Sequence, residues 1–468
     1  MGTPIWVGLA GVVVTLVVAR NLSLPAAIAV AVAMGLLLAA TAVAEALRGL
    51  VARMRRTPLR SHGLDLGEFR MPRPAPRLLV RPRGGPLIAA VLSLPSVAVL
   101  GRLLWRDHRS GLRQRASDAI SAAVGRFDPE LVIYFAGNAE ELYQLRMWFA
   151  PIERIGLRTL VLLRSDIVMD QLTDSPFPVV STPYNGLVAA LPLPRRVITF
   201  FVTHSGNNLS MIRRPETVCV FVGHGESDKP DSTNPYARVY DEVWVAGPLG
   251  RQRYADAAVG VRDDAIREIG RPQFVPPVEP PPEPPVIVYA PTWEGWGDDE
   301  HHSSLPHVGV ALVDALLARP DVQVRYRPHP LTGRRNAAVR QAHQAIVRRV
   351  GQIPHAEPIS RTMADAAGLV ADVSSVIAEF LAYDRPYAVA DTRDLGRREF
   401  TKQFPSTAGG FQLGPDLSGL DAFVAAATGG RDATAKRRRE LIRSALGDPM
   451  AAQERFAAEV ARLRRGNR

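Results

Sequence analysis

The chain of 468 residues has a single cysteine, Cys219. That excludes a disulfide framework and any cysteine-based metal site; set in the apolar run 218–222, Cys219 reads as a core residue. Lysine is nearly as scarce, with Lys229, Lys402 and Lys436 standing against 54 arginines. Where arginine is the default cation, a lysine beside a candidate site suggests a need for a compact point charge that pairs with phosphate without a planar fork. Carboxylates clustered at metal-ligand spacing are also missing, so no dedicated protein metal site is indicated. No internal repeat is evident.

The formal charge is +11, and its distribution says more than its size. Between Arg48 and Arg115 there are 15 arginines against Asp65, Glu68 and Asp107, so this block alone exceeds the net charge of the chain. A basic block attached to a near-neutral remainder points to anionic lipid headgroups and away from nucleic acid. The apolar segments beside it agree. Asn21–Ala44 is uncharged and long enough to cross a hydrocarbon core of about 30 Å as a helix, and Thr3–Ala19 is a shorter candidate for a first span. No Lys or Arg precedes the apolar run and arginines follow it densely, which argues against a cleaved signal peptide. The positive-inside rule places Arg48 onward in the cytoplasm. A third apolar patch, Pro86–Trp105, has basic flanks and fits an interfacial helix, with an ordinary buried helix as the alternative.

The remaining 350 or so residues suit two domains. Buried-strand candidates at Leu131–Ala136, Thr159–Leu163, Arg196–Val202, Thr217–Val222 and Val243–Ala246 are separated by loops and helical patterns, the signature of a parallel sheet covered on both faces. The proline-dense stretch 276–285 can be neither helix nor central strand and reads as a linker. After it come strand signals at Val286–Ala290, Val322–Arg327 and Gly368–Asp372, with helical patterns at Val308–Leu317 and Ala337–Val350. The expected organisation is therefore a membrane region of one or two helices (1–47), a basic juxtamembrane segment (48–117), a first α/β domain (118–275), the linker (276–285) and a second α/β domain (286–468). A helical tail over Leu417–Arg465 is expected to pack on the outside of the second.

In open α/β sheets ligands sit beyond the carboxyl ends of the strands, and the polar residues collect there. Five strand ends carry them: Thr203-His-Ser-Gly-Asn-Asn208, Gly223-His-Gly-Glu226, Pro291-Thr-Trp293, Arg327-Pro-His-Pro330 and Asp372-Val-Ser-Ser375. A lone histidine after a strand more often caps or packs than catalyses, but five converging ends are a different matter. Ser374 and Ser375 fall where a helix begins and can hold phosphate oxygens; a plain N-cap is the alternative. Glu379, one turn further, could accept from ribose hydroxyls or simply be salt-bridged.

These motifs resemble, in order, those of the CDP-glycerol glycerophosphotransferase family of wall teichoic acid primases and polymerases. His224-Gly225 followed by Lys229 matches the family's His-Gly-Thr-Pro-Leu-Lys stretch, and Gly270-Arg-Pro272 its Gly-x-Pro turn. Tyr289-Ala-Pro-Thr-Trp293, Arg327-Pro-His-Pro330 and Asp372-Val-Ser-Ser-Val-Ile-Ala-Glu379 match three further family segments. The resemblance implies a GT-B pair of Rossmann-type doubly wound domains, acceptor side first and nucleotide side second. It implies a CDP-polyol donor, a lipid-linked or polymeric acceptor and release of CMP. Of the candidates, His224 (general base) and Lys229 are then catalytic, and Thr292, Arg327, His329, Ser374, Ser375 and Glu379 bind donor. His204, Asn207 and Glu226 are acceptor-side candidates, and no cofactor is implied beyond Mg²⁺ carried with the donor. Two departures stand out: Glu226 replaces the family threonine, and Gln273 the usual arginine. A nucleotide-sugar glycosyltransferase and an inactive scaffold share the architecture and remain alternatives.

Overall fold

The computed structural model describes Ser23, Pro25, Ala26, residues 60–69 and residues 111–466, except 184, 216, 230, 231, 278, 296–301 and 356. The expected spans at Thr3–Ala19 and Asn21–Ala44, and the apolar patch Pro86–Trp105, fall outside the described residues apart from Ser23, Pro25 and Ala26. Among the described residues, no helix is long and apolar enough to cross a membrane. By compactness the chain divides into residues 1–60 with 65–123, and residues 61–64 with 124–468. In the first, the main described element is the start of the helix Leu112–Phe127.

The second unit holds two parallel sheets. The first contains β1 (Arg60–His62), β2 (Leu131–Phe135), β3 (Thr159–Leu163), β4 (Val179–Ser181), β5 (Val197–Phe201), β6 (Thr217–Phe221), β7 (Glu242–Val245) and β8 (Ile266–Glu268). Their order is β1-β4-β3-β2-β5-β6-β7-β8. Runs such as Leu-Val-Ile-Tyr-Phe in β2 and Val-Ile-Thr-Phe-Phe in β5 are buried along their whole length, as strands covered on both faces must be. The second sheet contains β9 (Val286–Ala290), β10 (Gln323–Tyr326), β11 (Gly368–Ala371), β12 (Tyr387–Ala390) and β13 (Phe411–Leu413). Its order is β10-β9-β11-β12-β13. Alternate residues of β9 feed opposite core layers, with Val286 and Val288 on one side and Ile287 and Tyr289 on the other.

Each order reverses once. In the first sheet the chain leaves β2 towards β3 and β4, then returns to place β5 on the other side of β2. In the second it leaves β9 for β10, then returns to place β11 on the other side of β9. Such reversals open a crevice at the carboxyl ends of the flanking strands, so each sheet presents one crevice.

The end of the chain does not lie where the sequence suggested. The helix Ala452–Arg465 buries Phe456, Val460 and Leu463 in the core of the first sheet's domain. Phe456 packs against Trp148, Phe200 and Trp244 at ring-centroid distances of 5.7, 5.9 and 5.9 Å. Arg462 pairs with Glu242 (2.6 Å) and Arg464 with Glu130 (2.5 Å) at its rim. The arginines and glutamates that made the segment look external form one face, and an apolar stripe at helical spacing forms the other.

Candidate active site

The two crevices form one cavity of about 960 Å³. Its lining includes residues from all five strand ends singled out in the sequence.

On the first-domain side, β6 ends in a turn that exposes His224. Gly223 takes φ +62°, a region that costs a side chain with Cβ, and its carbonyl accepts from Trp148 Nε1 at 2.7 Å. At Gly225 (φ +150°) a Cβ would lie 2.7 Å from Ser375 Cβ, so the absence of a side chain lets this turn touch the opposite domain. His224 Nδ1 lies 3.0 Å from the Val202 carbonyl. A carbonyl only accepts, so Nδ1 carries the hydrogen and Nε2 keeps its lone pair. Burial pulls the His224 pKa below the ordinary imidazole value, the Val202 carbonyl opposing and the Arg271 charge assisting. The ring is thus a neutral base.

The second-domain side presents His329. The Leu331 N–H donates to Nδ1 (3.2 Å), so Nε2 carries the hydrogen and donates to Tyr143 Oη at 3.2 Å. Trp293 stacks on the ring (5.8 Å, 16°). Burial, then the charge of Lys229 and the neighbouring histidines, drive its pKa down to about 3. Lys229 Nζ crosses the cleft to donate to Thr292 Oγ1 (3.1 Å), and the Thr292 N–H is held by buried Asp372 (2.8 Å). Ser375 precedes the helix Val376–Leu381, but its side chain makes no cap hydrogen bond. Ser374 Oγ is buried with no partner among the described residues. The plain N-cap reading of these serines therefore does not hold.

Of four further candidates, Arg327 and Glu379 line the cavity with their charged groups engaged by the protein, and Glu226 and Asn207 do not line it. Arg327 spends its guanidinium on the Pro354 and Glu357 carbonyls, so it shapes the loop that carries His355 and only borders the cavity. Glu379 is ion-paired with Arg271, both buried; its carboxylate joins the Gly270-Arg-Pro272 turn to the second domain. Glu226 turns away from the cavity: its carboxylate accepts from the Ala246 N–H (2.5 Å) and pairs with Arg253 (3.2 Å). A carboxylate fits there, just ahead of the helix Pro248–Ala257, because unpaired N–H groups collect at a helix start. Asn207 is exposed and borders a separate pocket of about 380 Å³. His204 does line the main cavity, stacked on Phe221 (3.9 Å, 14°), with its pKa lowered to about 4 by burial.

Sequence reading passed over Tyr143, Gln144, Asp228 and His355, which also line the cavity. Asp228 binds Arg253 (2.6 Å) and accepts from the Ser406 N–H (2.7 Å), another tie across the cleft. The available signal for Tyr143 and Gln144 was their position just after β2, the strand at which the order reverses. Among the described residues, no group of three His, Cys, Asp or Glu could hold a metal ion.

Two doubly wound parallel sheets facing each other across a polar cleft, with a neutral histidine on each side, define a GT-B-like α/β fold. Residues 278–404 match the family model described as CDP-Glycerol:Poly(glycerophosphate) glycerophosphotransferase, the family that the motifs resemble. That match lies almost entirely within the second domain of the chain. Among solved structures it is similar to the wall teichoic acid polymerase TagF (14% identity, TM-score 0.49, covering 77% of this chain and 96% of that one). It is also similar to a putative UDP-N-acetylglucosamine 2-epimerase from Listeria monocytogenes (13%, TM-score 0.47, 72% and 96%) and to a glycosyltransferase from Rickettsia africae ESF-5 (10%, TM-score 0.43, 71% and 98%). No curated protein matches the chain.

Proposed function

We propose that the chain moves a polyol phosphate, glycerol phosphate or a close analogue, from a CDP-polyol to a hydroxyl of a lipid-linked or cell-wall polymer acceptor, releasing CMP. The observation that carries this reading is the state of His224. Its Nδ1–H is committed to Val202, its Nε2 has no hydrogen-bond partner among the described residues, and burial keeps the ring neutral in a cavity that it shares with Ser374, Ser375, Lys229 and His329.

An acceptor hydroxyl donating to Nε2 gives up its proton as its oxygen attacks the phosphorus that bears the polyol. The bond from that phosphorus to the bridging oxygen breaks, and CMP leaves with the electron pair. Lys229 and the two serine hydroxyls, which line the same cavity, then meet the charge that grows on the leaving phosphate. Two apolar segments before residue 45 and the arginine block after them support attachment to a cell membrane, with anionic lipids against the block and the catalytic domains in the cytoplasm.

The test is to offer the protein CDP-glycerol, CDP-ribitol and a panel of nucleotide sugars with acceptor, and to identify the nucleotide released. CMP from a CDP-polyol is expected. UDP or GDP from a sugar donor, with CDP-polyols inert, makes the protein a glycosyltransferase, and failure of every nucleotide to bind makes it a scaffold.

A further inference from the structure

Two consecutive residues of the helix Leu142–Arg146 line the cavity in a way that the transfer chemistry leaves unused. Gln144 is only 5% exposed, and its Oε1 has no hydrogen-bond partner among the described residues. A buried amide oxygen with no donor is costly, so such a group needs a reason, and in a cavity wall a ligand can supply one. Its Nε2 is already used, donating to Tyr143 Oη at 3.3 Å. Tyr143 Oη also accepts from His329 Nε2–H at 3.2 Å. With both lone pairs engaged, the phenol hydrogen is left to donate elsewhere; burial raises the Tyr143 pKa to about 12, so that hydrogen stays on.

The pair therefore offers one acceptor and one donor side by side. A phosphate oxygen only accepts and would leave Gln144 Oε1 unmet. An aliphatic hydroxyl both donates and accepts, and satisfies the two together. Its location follows from the rings: Tyr143 meets His224 edge-on at 6.1 Å and His329 edge-on at 5.5 Å. It stands beside both the base and the donor side, where the group in transfer has to pass.

We propose that Tyr143 and Gln144 bind a hydroxyl of the polyol being transferred, on the carbon next to its phosphate ester, and so determine which donors are used. This rests on the CDP-polyol reading above and adds to it the part of the donor that is recognised.

The test compares kcat/KM for CDP-glycerol and CDP-propane-1,3-diol, which lacks that hydroxyl, in the wild type, Gln144→Met and Tyr143→Phe. CMP affinity, measured on the same preparations, reports a folded cleft. The wild type should prefer CDP-glycerol by at least about tenfold, and each variant should bring the ratio towards one by losing rate on CDP-glycerol alone. A CMP-binding variant that keeps the wild-type ratio overturns the assignment. So does a wild type that uses both donors equally, or a variant that changes only the acceptor KM, which would give the pair to the acceptor. A wild type that is inert with both CDP esters but releases nucleotide from a sugar donor overturns the CDP-polyol reading itself.

Discussion

Acid should unfold this protein through two histidines that the fold keeps neutral. His329 is driven to about 3 and His204 to about 4, each mainly by burial, whereas an unfolded histidine titrates near 6.5. Both folded values lie below the unfolded one, so protons bind the unfolded chain preferentially as pH falls. Their contribution is complete above about pH 6.5 and is lost below it. At pH 5 each unfolded histidine has gained about 2 kcal/mol from protonation that its folded counterpart has not, so the pair removes about 4 kcal/mol between pH 8 and pH 5. Set against a total stability of about 5 to 15 kcal/mol, that is a large share. Urea unfolding at a series of pH values, followed through the buried Trp148 and Trp244, measures it. His204→Phe keeps a ring against Phe221 and removes the titration, and His329→Asn does the same for the second domain. Each should recover about 2 kcal/mol of the loss between pH 8 and pH 5. A double variant with the wild-type slope would refute the picture of neutral buried rings.

His224→Ala should lower turnover by about 10²- to 10⁴-fold with CMP affinity and melting temperature little changed; undiminished turnover in a folded, CMP-binding variant removes His224 as the base. Because His224 is held below the ordinary imidazole value, kcat/KM should remain flat down past pH 6.5 before falling on the acid side, where a fall centred at or above 6.5 contradicts its environment. Glu379→Ala leaves the buried Arg271 charge unpaired and should cost about 3 to 5 kcal/mol in urea; loss of donor affinity at unchanged stability would instead return Glu379 to the nucleotide.

The long apolar strands were legible because their burial on both faces leaves uninterrupted Val, Ile, Leu and Phe runs. Thr159–Leu163 and Val286–Ala290 occur at the expected boundaries. Short strands such as Val179–Ser181, Ile266–Glu268 and Phe411–Leu413 were missed, since three residues carry no period. The convergence of five strand ends was legible from topology alone. What each side chain does there was not, because that depends on partners distant in sequence. Glu226 finds the Ala246 N–H and Arg253, and Glu379 finds Arg271, 108 positions away. Tyr143 was hidden for a simpler reason: within an amphipathic helix it looks like any half-buried aromatic.

The return of the last helix to the first domain has a consequence for how the protein is made. Synthesis delivers β2 to β8 long before Phe456, the ring that completes the packing around Trp148, Phe200 and Trp244. At about 5 to 20 residues per second, the nascent first domain waits roughly 10 to 40 s with those aromatics uncovered. The second domain is made in between and can close first. The order of completion is then the reverse of the order of synthesis, and a ribosome that stops short of residue 452 leaves behind a first domain whose apolar surface is open to chaperones and proteases.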